Sequence, residues 1–266
     1  MMKKSFAVLI ALCLVFALGG CTVSFGDVGI GGPRLRTVRG SGDMVEQVFP
    51  LDKSEDYFNL HIADFNFNVR GITTAYIIVD ETAEHAVTIV TDDNIAELIS
   101  IEFQEGRNRI VVEADRNIRF SPTELTITVG LPLNQFDVFG GAWNVRYHCT
   151  RASYLLPRFS GAVNAEFYVG ELNNLGLQMD GAGTIHLQGT TETATLVVNG
   201  AGNIHAFDLT AETVEVILNG AGNAEITAME RLDAEINGLG SITYDGNPTV
   251  NRRVAGLGRV RSRNQD

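Results

Sequence analysis

The chain has 266 residues with a formal net charge of −12, a hydrophobic share of 45% and three cysteines. That is long enough for a sizeable apolar core, too acidic over most of its surface for a nucleic-acid partner, and too poor in cysteine for a disulfide scaffold.

In chain order, the first segment is 1–20. Lys3 and Lys4 precede an apolar run from Phe6 to Leu18. Such a run is too short to span a bilayer and fits the core of a secretory signal. Leu18, Gly19, Gly20 and Cys21 follow, and this order reads as a bacterial lipobox with Cys21 as the lipidated residue. Acyl chains at about 0.8 kcal/mol per buried CH2 would hold the protein on a membrane facing the extracytoplasmic side. Loss of residues 1–20 removes two lysines and no acid, taking −12 to −14. Residues 21–42 are glycine-rich without sustained alternation, and are expected to form a flexible tether.

From 43 onward a single β domain is expected. Its first part, 43–135, carries short alternating runs, "FNLHI", "FNFNV", "AYIIV", "AVTIV", "LISIEF", "NRIVVEA" and "LTITV", separated by turn residues. They read as irregular early turns or as a small sheet covering one end. "DDNIAEL", at 92–98, is the one helical candidate.

The second part, 136–262, repeats. Gly141, Gly161, Gly181, Gly200, Gly220, Gly238 and Gly256 recur with a period of roughly 20 residues that shortens slightly after Gly220, and Gly183, Gly202, Gly222, Gly240 and Gly258 complete GxG motifs. A phosphate loop occurs once, between a strand and a helix; a motif repeated at a fixed period is one turn of a solenoid. Two and six residues before each marker, and four and six after it, stand apolar columns expected to face inward: Phe139, Val198, Leu218 and Ile236; Ala194, Val214 and Leu232; Ile185, Ile204 and Ala224; Leu187, Ala206 and Ile226. Alternation with period two on both sides of a glycine bend predicts an all-β parallel β-helix with glycine corners. Asp180, Asn199, Asn219 and Asn237 form a column suited to a side-chain ladder along the axis. Calcium-binding repeats would need an acid in every turn of that column, and only Asp180 supplies one.

The remaining candidates are sparse. Cys13 leaves with the signal and Cys21 takes lipid, so Cys149 is a lone thiol, read as a packed small residue. Arg252, Arg253, Arg259, Arg261 and Arg263 crowd the carboxyl-terminal end as a solvated cap over the solenoid, or as a contact for anionic envelope polymers. Five places after the markers, Glu166, His186, His205 and Glu225 fall in one outward file at about 4.8 Å per turn. The plainer reading is a wet file in which Glu offsets His charge; the sharper one is a zinc site of two imidazoles and a carboxylate.

The segments "GSGDMVEQVF", "LTITVGLPLNQFDVFGGAWNV", "MDGAGTIHLQG", "VNGAGNI", "LNGAGNA" and "INGLGSI" resemble the bacterial head GIN domain family, labelled auto-transporter adhesins. The resemblance runs from about Val38 to Val260 and implies a signal sequence, a β-helix with serial glycine corners and a surface role. It brings no catalytic residues. Val163 and Trp143 stand where the family pattern has the second glycine, so wider early corners are expected. Together these readings favour a non-enzymatic surface lipoprotein that binds, adheres or scaffolds, with no cofactor and with an envelope polysaccharide or protein as ligand. The alternatives are a carbohydrate-active enzyme on acidic glycans and an envelope-sensing partner. Turns of nearly equal length leave no long insertion to wall a catalytic groove, which weighs against the enzyme.

Overall fold

The computed structural model describes residues 10–11, 35–51, 57–67, 75–104 and 108–264. Cys21, the expected signal segment apart from Ile10–Ala11, and most of the expected tether lie outside them. The structure is 77% strand and 2% helix, and its body is a β-solenoid of about six turns of roughly 20 residues.

The turns are the strands Leu133–Cys149, Tyr154–Met179, Ala182–Val198, Ala201–Leu218 and Ala221–Ile236, closed by Leu239–Asp245, Thr249–Val254 and Leu257–Ser262. Each lies parallel on the next in matched register: Ala182 pairs with Ala201, Ala201 with Ala221, Ala221 with Leu239 and Leu239 with Leu257. This register is what the period dictates, because slipping by one residue would turn every inward side chain to solvent. Ile185, Ile204, Ala224 and Ile242 stack as one inward column; Leu177, Leu196, Val216 and Ala234 form another, so the core runs the length of the solenoid.

Close approach of backbones explains the glycines better than turn dihedrals do. A Cβ placed on Gly220 would fall inside the carbonyl oxygen of Gly200 one turn away, and the same holds for Gly238 over Gly220. Beside the corners the expected ladder forms. The Nδ2 of Asn219 donates to Oδ1 of Asn199 at 2.7 Å, and Asn237 Nδ2 donates to Oδ1 of Asn219 at 2.8 Å. Asn199 in turn donates to Asp180 at the head of the column. A second ladder not foreseen runs through Asn203, Asn223 and Ser241.

The first corner departs from the pattern. Gly140 and Gly141 both adopt φ of 76°, and the register slips between Phe139 and Ala142. Val138 therefore takes the inward place expected for Phe139, which is instead 39% exposed and lies against the ring of His61. Trp143 and Val163 point inward, where later turns have only glycine. The space for Trp143 is made by Phe65 and Phe67, each edge-on to its indole at 5.1 Å between ring centroids.

Residues before 130 combine both expected forms. Phe58–Ala63 and Ala75–Asp80 pair parallel with Leu133–Cys149 as early turns, and Ala75–Asp80 pairs parallel with Leu125–Val129. Met44–Pro50 and Ala86–Asp92, by contrast, run antiparallel, with Leu125–Val129 beside the latter, and Ile99–Gln104 runs antiparallel to Arg109–Ala114. Arg109–Ala114 also lies parallel to Phe58–Ala63. Ile10–Ala11 pairs antiparallel with Met44–Pro50. The short helix is Asp93–Ala96.

Within the segment 21–42 expected as a tether, Arg36–Arg39 is a strand paired parallel with Ile118–Ser121, the Gly40 N–H donates to the Ser121 carbonyl and the Ser41 N–H to Oδ1 of Asn94. The buried Asp92 explains this: its Oδ1 accepts from the Gly42 N–H and the Thr123 hydroxyl, and its Oδ2 from the Thr123 N–H, each at 2.8 Å. A buried carboxylate with that many donors is satisfied, and it fixes the chain that supplies them. One hydrophobic cluster extends from Leu51 to Val260. Cys149 sits inside it as a free thiol, and burial pushes its pKa up to about 12, so it is an inert packing residue.

Candidate functional site

The outward face of the second strand of each turn holds the groove of interest. Register places Arg146, Glu166, His186, His205 and Glu225 in one file, because each is five residues beyond a corner and parallel strands keep equal offsets adjacent. Two residues further on, His148, Tyr168 and Gln188 form a second file. Phe167, Tyr147 and Leu187 alternate with them, point inward and form the floor.

The wall comes from a bulge. Ala206 pairs with Ile226 while Thr210 pairs with Thr227, so the residues between, Phe207, Asp208 and Leu209, have no counterpart in the next turn. Leu209 stays buried, and Phe207 and Asp208 are pushed outward. The result is an open groove of about 530 Å³, lined by both files together with Phe207 and Asp208. No long insertion announces this groove in the sequence. The available signal was the shortening of the period after Gly220, which leaves part of the preceding turn unmatched.

Within the groove His186 and His205 stack, 4.8 Å between centroids and 19° between planes. Nδ1 of His205 donates to Oε2 of Glu225 at 2.6 Å, since a carboxylate can only accept. The His186 ring makes no hydrogen bond among the described residues. Parallel stacking aims the two imidazoles in the same direction, not at a common point. Among the described residues no group of three or more His, Cys, Asp or Glu side chains converges as a metal set. The file anticipated from sequence is therefore assembled, without the geometry that tetrahedral zinc requires.

Aromatic surface borders the imidazoles. Tyr168 is 45% exposed and stands edge-on to His148 at 4.8 Å. The guanidinium of Arg263 lies 4.4 Å from the centre of the Phe207 ring and bonds Oδ2 of Asp245 at 3.1 Å, which holds the bulge from the far side. Arg146 lies over Tyr76 at 5.7 Å. Three carboxylates, Glu166, Asp208 and Glu225, thus face one arginine in the lining. The carboxyl-terminal arginines Arg252, Arg253, Arg259, Arg261 and Arg263 are all exposed, and Arg252 pairs with Ala234 at the open end of the solenoid. Among the described residues no helix is long and apolar enough to cross a membrane.

Comparison with known proteins agrees with this architecture. No curated protein matches the chain. Crystal structures of a "putative adhesin" from Bacteroides fragilis and of a "putative adhesin" from Parabacteroides distasonis match with TM-scores of 0.69 and 0.57 at 23% and 19% identity. A "Putative lipid binding protein" from Parabacteroides distasonis matches with a TM-score of 0.54 at 17% identity. Each comparison covers 85% of this chain and 99% of the other. At these identities the likeness is one of fold. The family pattern described as "Putative auto-transporter adhesin, head GIN domain" matches residues 68–248, and the chain belongs to that family.

Proposed function

We propose that the protein is a non-enzymatic binding module of the bacterial envelope, displayed from a membrane through lipid on Cys21, with the groove over Glu166, His186, His205 and Glu225 as its contact surface. The observation that carries this reading is the lined groove on a stiff face: successive turns hold its side chains at fixed spacing with no loop to reorganise. Membership in an adhesin-labelled family supports a surface role.

A glycan-cleaving reading draws less support from the same groove. Glu166 and Glu225 are separated by three turns, roughly 14 Å at strand spacing, whereas paired glycosidase carboxylates stand about 5 to 9.5 Å apart; in the nearer pair, Asp208 and Glu225, the Glu225 carboxylate is bonded to Nδ1 of His205.

The test uses the full chain. It should fractionate with membranes and bind isolated envelope material saturably; Cys21→Ala should become soluble and still bind. Membrane retention of that variant would overturn the anchor. Turnover of an acidic glycan that a single carboxylate substitution abolishes would overturn the non-enzymatic reading.

A further inference from the structure

Resting on that reading of the groove, we infer that its ligand is a neutral, hydroxyl-rich glycan lying along the solenoid axis, with sugar rings packed on Tyr168 and Phe207. Both line the groove from strands two turns apart, about 10 Å along the axis, Tyr168 in register with Gln188 of the next turn and Phe207 on the bulge beyond it. Gln188 occupies the turn between them. A polymer running parallel to the axis therefore meets the Tyr168 ring, the Gln188 amide and the displaced Phe207 ring in successive turns.

The polar file beside them supplies what sugar hydroxyls need. Glu166 and Glu225 accept hydrogen bonds, Gln188 both donates and accepts, and the unengaged nitrogens of His186 can do either. The apolar C–H faces of the same sugar rings cover Tyr168 and the side of Phe207 that Arg263 leaves open.

Charge and shape separate this ligand from others. Three carboxylates against one arginine disfavour a uronate or sulfated polymer. An extended peptide gains no ladder here, because the floor strands are already paired on both sides. An acyl chain would need an enclosed apolar channel, and this groove is open and mixed in polarity.

Calorimetric titration of the full chain tests the inference, with neutral gluco-, manno- and galacto-oligosaccharides of two to six sugars as probes and oligogalacturonate as the acidic comparison. At least one neutral series should bind saturably and oligogalacturonate should not. Tyr168→Ala should weaken binding about tenfold, Tyr168→Phe should retain it, and Gln188→Ala should repeat the loss in the adjacent turn. Both side chains face outward, so melting temperatures should be unchanged; should one variant fail to fold, the other carries the test. Absence of binding to every neutral series, equal binding of the acidic one, or unchanged affinity in both Tyr168→Ala and Gln188→Ala would overturn the inference. Saturable binding of envelope material without any glycan binding would remove the glycan and leave the binding-module reading intact; loss of both would remove both.

Discussion

The corner at Gly140–Gly141 and the corner at Gly220 solve one problem by opposite means. At Gly220 the chain turns by removing the side chain, so that its backbone rests on the Gly200 carbonyl. The early corner has two left-handed glycines, an extra residue and a large side chain, Trp143, wedged between Phe65 and Phe67. A turn stacked on an identical turn can be tight because the surface beneath it is flat. The first turns rest on an irregular sheet and must be filled. The difference teaches that the glycine period reports the neighbour as much as the turn itself.

Removing the wedge should produce the largest effect. Trp143→Ala should destabilise by about 3 to 5 kcal/mol, because a buried aromatic leaves a cavity that Phe65 and Phe67 cannot close. Denaturant unfolding measures the total, and hydrogen exchange locates it. Early turns over 133–179 should lose protection before 201–262, since in a solenoid each turn is held chiefly by its neighbours. Uniform loss along the chain would make the two regions one unit and dissolve the comparison.

The tight corner fails differently. Gly220→Val should cost about 2 to 4 kcal/mol, because the added carbons meet backbone that cannot move aside. Gly140→Ala is the matched control: its added Cβ finds only the Phe65 carbonyl at 3.8 Å, leaving the left-handed strain of about 1 to 2 kcal/mol. Equal losses in thermal melts would show that dihedral preference, not backbone approach, governs both corners.

These two corners also mark where the sequence was readable. The columns at Ile204, Ala224 and Val214 and the Asn199–Asn219–Asn237 ladder were legible because stacking turns repeats every requirement, and repetition is visible in one sequence. Phe139 was assigned inward because a one-residue bulge shifts phase without altering the spacing of the glycines. Arg36–Arg39 was assigned to the tether because its partner strand, Ile118–Ser121, and the Asp92 that holds Gly42 lie far along the chain and outside any period. The groove was half legible: the His–Glu file follows from the repeat, whereas its wall at Phe207 arises where the repeat breaks.

The ladder offers a smaller test on the regular side. Asn219→Ala interrupts two amide bonds at an exposed position, where water replaces the lost partners, and should cost about 0.5 to 1 kcal/mol. Chemical denaturation resolves a change of that size. A loss well beyond that range would mean that the ladder, and not the core, sets the stability of the regular turns.

Acid should separate the two regions with the least change in structure. His61 belongs to the early side: its side chain is 19% exposed, Phe139 covers the ring, and Nδ1 lies 4.0 Å from Asp137 Oδ2, too far for a hydrogen bond. Burial holds its pKa below the ordinary 6.5, with Arg109 adding to the effect and Asp137, Glu113 and Asp64 opposing it. Below pH 6.5 the unfolded chain therefore binds a proton that the folded chain resists. Stability from this group is present above 6.5, falls as pH drops below that value, and levels off once His61 titrates in the folded state. His61→Gln removes the proton-binding difference, so its melting temperature should decline less than wild type between pH 7.5 and 5. Asn219→Ala, which changes no titrating group, should instead track the wild-type decline. If His61→Gln and wild type decline in parallel, the ring binds its proton equally in the folded and unfolded chains and Asp137 offsets burial; a steeper decline in His61→Gln would mean that Asp137, not burial, controls the ring.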